Sequence, residues 1–285
     1  MRKTPVAVLA VLALVGTLGI VIAVRGMDGK IPLPAIGPEC TVRADGEVTL
    51  DTVQMANAAT ITAVGIRRGM PERAVVVALA TALQESKLEN LEDGDRDSIG
   101  LFQQRPSQGW GTPEKIQDPR YAADKFYSAL KKVKGWQKMR VTDAAQKVQR
   151  SAYPNAYEKW ADESAVLARA LTGRATGAVA CTVTGSPVLR GAAAAAALME
   201  GLKRDWGKGL AKTPAAAQAA GLTVAVSDAS TGWRYAHWLV SHASDTGLER
   251  VRFADLEWRA PDGKWQPVTA DTGADERQVI AQVFS

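Results

Sequence analysis

Soft metal ligands are scarce in this chain, with two cysteines and two histidines among 285 residues. A zinc site built from four cysteines, or from two cysteines and two histidines, would need nearly all of them or more. His237 and His242 fall five apart on one predicted helix, whereas helical metal ligands prefer three or four. Each is therefore read as a structural histidine, and neither a metal nor a cofactor is expected. Excess charge of one sign is also modest: 35 Lys and Arg stand against 30 Asp and Glu, a net of +5. Without an Arg/Lys stripe, that balance does not make a nucleic-acid binder. Long hydrophobic runs are lacking except for one, which excludes a multi-span transporter. What remains is 46% hydrophobic and 23% charged. That composition builds a globular core and excludes a disordered chain or a disulfide-stapled miniprotein.

The one long run lies at the start. Arg2 and Lys3 precede an uncharged stretch from Val6 to Val24, close to the ~20 residues that cross a bilayer. It ends in Val24-Arg25-Gly26, unlike the small-residue site a signal peptidase cuts. Residues 1–25 are thus expected to be an uncleaved signal anchor, a transmembrane helix with its N-terminus inside and the domains outside. A cleaved signal peptide and a secreted protein form the alternative. Outside the membrane, Cys40 and Cys181 have an oxidising compartment. They read as a disulfide that ties the ends of the first domain together, or as two separate buried thiols. Closing a loop of about 140 residues contributes at best ~4–5 kcal/mol in the chain-entropy account.

Residues 26–39 are rich in Pro and Gly and read as a tether. A hairpin around Asp45-Gly46 follows. Helix starts come at Asp51, Pro71, Asp118, Thr142-Asp143 and Pro154, the last helix reaching Leu171. The helix carrying Ala74-Val-Val-Val-Ala-Leu-Ala-Thr-Ala-Leu83 is apolar almost all round, so it should be central and buried. Residues 183–214 are alanine-rich, then basic, and read as a linker with one solvated helix. From Gly221 the period changes to strand, helix, strand, a turn over 260–265 and an edge strand over 278–284. The expected fold class is a mainly α domain over 40–182 and a small α/β (α+β) domain over 215–285, with one transmembrane helix in front.

Glu85 stands near the end of the most apolar helix. A carboxyl presented there can be desolvated and stay protonated, as a general acid for glycosidic cleavage requires. Beyond it, 94–104 form a Gly/Asp loop and then a short apolar turn ending in two amides. Glu85-Ser86 followed by Ser98-Ile-Gly-Leu-Phe-Gln103 resembles the signature of soluble lytic transglycosylases and goose-type lysozymes. Those families have Glu-Ser on a central helix and then Gly-Leu-Met-Gln, so Phe102 is a mild departure. The resemblance covers about residues 45–175. It implies a mainly helical lysozyme-like fold, Glu85 as catalytic acid, and Ser86 and Gln103 as substrate-binding positions. A family tyrosine that supports the glutamate corresponds to Tyr153 or Tyr157, though the usual Asn-Ala-Gly is missing. The longer strings around 98–112 and 148–162 are similar to secreted or anchored envelope proteins of actinobacteria.

One carboxyl suffices for a lytic transglycosylase, which uses the substrate's own C6 hydroxyl. A lysozyme uses water and usually a second carboxylate. Asp95 or Asp97 could orient that water, or could simply be loop structure. Gln104, Arg105 and Trp110 are candidates for glycan subsites. Tyr121, Phe126 and Tyr127 read as core, and Trp136 and Trp160 as packing. The C-terminal region weakly resembles D-alanyl-D-alanine carboxypeptidase (hedgehog-like) accessory domains. Their metal-binding His and Asp pattern is absent, which implies a non-catalytic wall-binding or partner-binding module. The expected function is a muramidase acting on peptidoglycan glycan strands outside the membrane. The alternative is a non-catalytic glycan-binding or envelope scaffold protein.

Overall fold

The computed structural model describes residues 38–207, 215–218, 221–268 and 275–285. The transmembrane helix expected over 6–24 lies outside the described residues, and among those described no helix is long and apolar enough to cross a membrane.

Strands β1 (Glu39–Arg43) and β2 (Glu47–Asp51) form the hairpin around Asp45-Gly46. Asp51 then caps helix α1 (Thr52–Arg67), accepting from the Gln54 amide while the Gln54 side chain returns to the Asp51 amide. Helix α2 (Glu72–Ser86) follows Pro71 and is buried almost all round from Ala74 to Leu83, as its apolar sequence requires. A short helix α3 (Pro113–Ile116) leads to α4 (Pro119–Lys132), whose N-cap is Asp118. Then come α5 (Val141–Gln149) and α6 (Ala161–Leu171). The helix expected from Pro154 starts later than its sequence suggests. Residues 154–160 are turns and a 3-10 segment, because Tyr157 and Trp160 are drawn inward to bond Glu85 and Gln84. Strand β3 (Val179–Cys181) returns to β1, placing Cys181 opposite Cys40, and the two form a disulfide.

The expectation of a mainly helical domain followed by a small α/β domain does not hold. The described residues from 38 onward form one α+β unit with two antiparallel sheets. Helix α7 (Gly191–Trp206), expected to be a solvated piece of linker, buries Ala194, Ala195, Leu198, Leu202, Asp205 and Trp206 along one face. The second sheet runs β4 (Ala215–Gln218), β5 (Gly221–Ala225), β9 (Asp275–Val283), β6 (Leu248–Ala254), β7 (Leu256–Arg259), β8 (Lys264–Pro267) in spatial order. Helix α8 (Ala229–Ser241) connects β5 to β6 and a short α9 (Ala243–Thr246) follows it. A β-α-β crossover would leave β5 and β6 as parallel neighbours. Instead β9, expected at an edge, inserts between them antiparallel to both. Val279, Ala281 and Val283 alternate along it as its buried face.

Buried polar groups join the two regions. Asp205 is fully buried on α7 and accepts from Thr60 Oγ1 of α1 at 2.8 Å and Trp238 Nε1 of α8 at 2.8 Å. Arg120, at the start of α4, pairs with it at 2.5 Å. His237 is also fully buried. The Ala178 amide donates to its Nε2 at 2.9 Å, and its Nδ1 lies 2.8 Å from the Ala170 carbonyl. Those partners require a neutral ring protonated on Nδ1. The Trp265 indole on β8 donates to the Val179 carbonyl on β3 at 2.7 Å.

Burial pushes the His237 imidazole down from 6.5 to about 4. Its folded pKa lies below the unfolded one, so its contribution is complete above pH 6.5 and is lost as pH falls towards 4. That contribution is up to about 3 kcal/mol. Imidazole NMR should therefore show His237 neutral at pH 5, and urea unfolding should show stability falling between pH 6.5 and 4. An imidazolium signal from His237 at pH 6 would contradict this.

Candidate active site

Glu85 lies in the last turn of α2, and the chain turns sharply just beyond it. Lys87 and Leu88 both adopt left-handed backbone, with φ of 57° and 64°, a conformation that costs a non-glycine residue roughly 1–2 kcal/mol. Two amides of α1 hold this turn: Gln54 donates to the Lys87 carbonyl at 2.9 Å, and Asn57 to the Leu88 carbonyl at 2.8 Å. Ser86 is buried and donates to the Leu101 carbonyl at 2.8 Å, with the Ala82 carbonyl also within 3.1 Å of its Oγ. The serine therefore latches the glutamate's helix to the Gly-Leu-Phe-Gln turn. Where a substrate-binding role was expected, the structure shows a buried hydroxyl bonded to backbone.

The Glu85 side chain is half-buried. Tyr157 donates its phenol to Oε1 at 2.7 Å, and Gln149 Nε2 donates to the same oxygen at 3.1 Å. Gln149 Nε2 also reaches the Phe102 carbonyl at 2.8 Å, bridging the glutamate to the second motif. Among the described residues Oε2 accepts no hydrogen bond. Both donors on one oxygen fix the plane of the carboxyl. Burial, then the Glu85 charge beside it, pushes the Tyr157 phenol far above its ordinary range, so it remains a donor.

Of the two candidate tyrosines it is Tyr157 that reaches Glu85. Tyr153 stands exposed on the turn above, with its ring open to solvent. Nothing in the sequence points to Gln149, because a glutamine at the end of an amphipathic helix carries no chemical signal of its own. Arg150 just after it is also left-handed, with φ 54°. Of the seven described non-glycine residues with positive φ, Lys87, Leu88, Arg96, Gln103 and Arg150 lie in the segments around Glu85. Strained backbone held in one place by its surroundings is characteristic of functional sites.

The amides of the second motif have separate roles. Gln103 is left-handed at φ 44° and half-buried, and its Oε1 would lie 1.8 Å from a Cβ on Gly94, so only glycine leaves it that space. Gln104 is buried, its backbone bridged to Ile99 and its Nε2 donating to the Ala122 carbonyl at 3.0 Å. It braces the turn and cannot serve as a glycan contact, which corrects that expectation. Trp110 is half-buried against the core, and its carbonyl accepts from Tyr121.

The two candidate aspartates are held differently. Arg105 Nε donates to Asp97 Oδ1 at 2.7 Å and the Ser107 amide to Oδ2 at 2.8 Å. Ser107, through side chain and amide, and then Arg105 hold the Asp97 carboxyl well below the usual carboxylate range. An ionised group with both oxygens engaged pins the 105–108 turn and is a poor base. This also occupies Arg105. Asp95 is 93% exposed and lies 3.9 Å from its neighbour Arg96. Neither aspartate is hydrogen-bonded to Glu85, Tyr157 or Gln149 among the described residues. A groove of about 510 Å³ opens beside this loop, lined by Glu92, Asp97, Ile99, Pro106, Pro113 and Gln117. Glu85 is not in its lining.

No group of three His, Cys, Asp or Glu suited to a metal occurs among the described residues. In comparison with known proteins, no family model and no curated protein matches the chain.

Proposed function

We propose that the protein cleaves the glycan strands of peptidoglycan with Glu85 as its one general acid and base. The observation that carries this reading is the carboxyl itself: Tyr157 and Gln149 both engage Oε1, at the end of a buried helix ringed by strained backbone. A proton on Oε2 would pass to the glycosidic oxygen as its bond to C1 breaks. The carboxylate left behind would then take the proton of the sugar's C6 hydroxyl as that oxygen attacks C1. The product is a 1,6-anhydro sugar, and no second carboxylate or water is consumed. The full engagement of Asp97 favours this route over hydrolysis.

The Cys40–Cys181 disulfide supports action in an oxidising compartment. With the uncharged run from Val6 to Val24 as a membrane anchor, the catalytic unit would face the wall from outside the membrane. Tyr153, with its exposed ring, is the aromatic best placed to lie against a sugar.

The assay is release of soluble muropeptides from purified wall by the protein. Wild type releases them and Asp97→Asn retains activity within about tenfold, whereas loss of a true catalytic base costs roughly 10²–10⁴-fold. A protein that sediments with wall yet releases nothing is a binding protein, and the proposal then fails. An Asp97→Asn enzyme as dead as a Glu85 variant would restore the two-carboxylate mechanism.

A further inference from the structure

The second sheet carries a cationic concavity unrelated to Glu85. Its volume is about 320 Å³, and four cations, Arg250, Arg252, Arg259 and Lys264, line it together with two carboxylates, Glu257 and Asp262. Along β6, Val251 and Phe253 are buried while Arg250 and Arg252, which alternate with them, are only part-buried, so strand alternation places the arginines on the face opposite the core. Register aligns the charges further. Arg250 on β6 stands opposite Arg259 on β7, and Arg259 opposite Lys264 on β8. Three cations thus stand in one row across three strands, spanning about 10 Å at the usual strand spacing.

Like charges directly opposite one another destabilise a sheet. Glu257, 3.6 Å from Arg250 and 2.6 Å from Arg259, and Asp262 in the same lining offset part of this, and Arg250 also donates to Gln282. Glu257 meets Arg259 through Nε, which orients that guanidinium without using its two terminal nitrogens. A hollow of this size, floored by oriented guanidinium groups and a lysine, is complementary to phosphate oxygens. Among the described residues no aromatic ring lines it, so these offer no stacking platform for nucleobases.

We infer that this concavity binds a phosphodiester polymer with aliphatic repeats, its phosphates lying along the Arg250, Arg259, Lys264 row. The site stands independently of the chemistry at Glu85. Calorimetry on the full chain at 50 and 200 mM salt tests it with three probes: a short poly(glycerol phosphate), an oligo-dT with the same number of phosphates, and inorganic tripolyphosphate. Arg259 and Lys264 are exposed, so Arg259→Gln/Lys264→Gln folds normally. Poly(glycerol phosphate) is expected to bind tightest, and the double variant to weaken it at least tenfold. The slope of log affinity against log salt should fall by about one to two. Glu85→Gln should bind unchanged, which separates this site from the glycan chemistry. Absence of binding, equal binding by the double variant, or equal or tighter binding of oligo-dT or tripolyphosphate would overturn the assignment.

Discussion

Glu85→Gln is expected to lower glycan release by at least about 10³-fold, within the range that loss of a positioned general acid produces. The substitution is nearly isosteric. The glutamine carbonyl can accept from Tyr157 and Gln149 as Glu85 Oε1 does, so neither donor is left unpaired. Only the second oxygen is replaced, by an amide nitrogen that cannot deliver a proton to a leaving alkoxide. The melting temperature should stay within a few degrees of wild type, and wall sedimentation should be retained. A variant that folds, binds and cleaves as wild type would remove Glu85 from the chemistry.

Asp205→Ala has the largest effect expected on stability. The carboxylate is fully buried and collects Thr60, Arg120 and Trp238 from three other helices. Truncation leaves the Arg120 charge and the Trp238 N–H facing a void. Breaking a buried pair by removing one partner costs about 3–5 kcal/mol. For a unit of this size that lowers the melting temperature by about 10 °C. Asp205→Asn keeps an acceptor for Thr60 or Trp238 but loses the charge opposite Arg120, so it should fall between alanine and wild type. Thermal unfolding followed by circular dichroism reads both. An alanine variant melting within 2 °C of wild type would mean that the Asp205 node does not hold the regions together.

Local signals were legible where the chain punctuates itself. Asp51 with Gln54, Pro71 and Asp118 mark helix starts that the structure shares. Ser86 and Leu101, fifteen positions apart, are joined by one hydrogen bond, which brings the two motifs together. Tertiary context decided the rest. Asp205 lies in a run with Lys203 and Arg204 that reads as solvated, and only the face of α7 distinguishes it from its exposed neighbours. Nothing local separates an edge strand from a central one, so the place of β9 between β5 and β6 was out of reach. The choice of Tyr157 over Tyr153 depends on the left-handed turn at Arg150 and the 3-10 segment beyond it. At Gln149, a residue of no intrinsic reactivity gains its role solely from where the helix ends.

The proposed mechanism turns on one carboxyl working without a second carboxylate. Mass spectrometry of the sugar ends formed when wild-type protein digests purified peptidoglycan reads this directly, because cyclisation through the C6 hydroxyl and attack by water differ by the mass of one water. New ends that are 1,6-anhydro sugars are the predicted result. Reducing ends would contradict the single-carboxylate account and return a water-activating role to another residue, and wall left undigested would contradict glycan cleavage altogether.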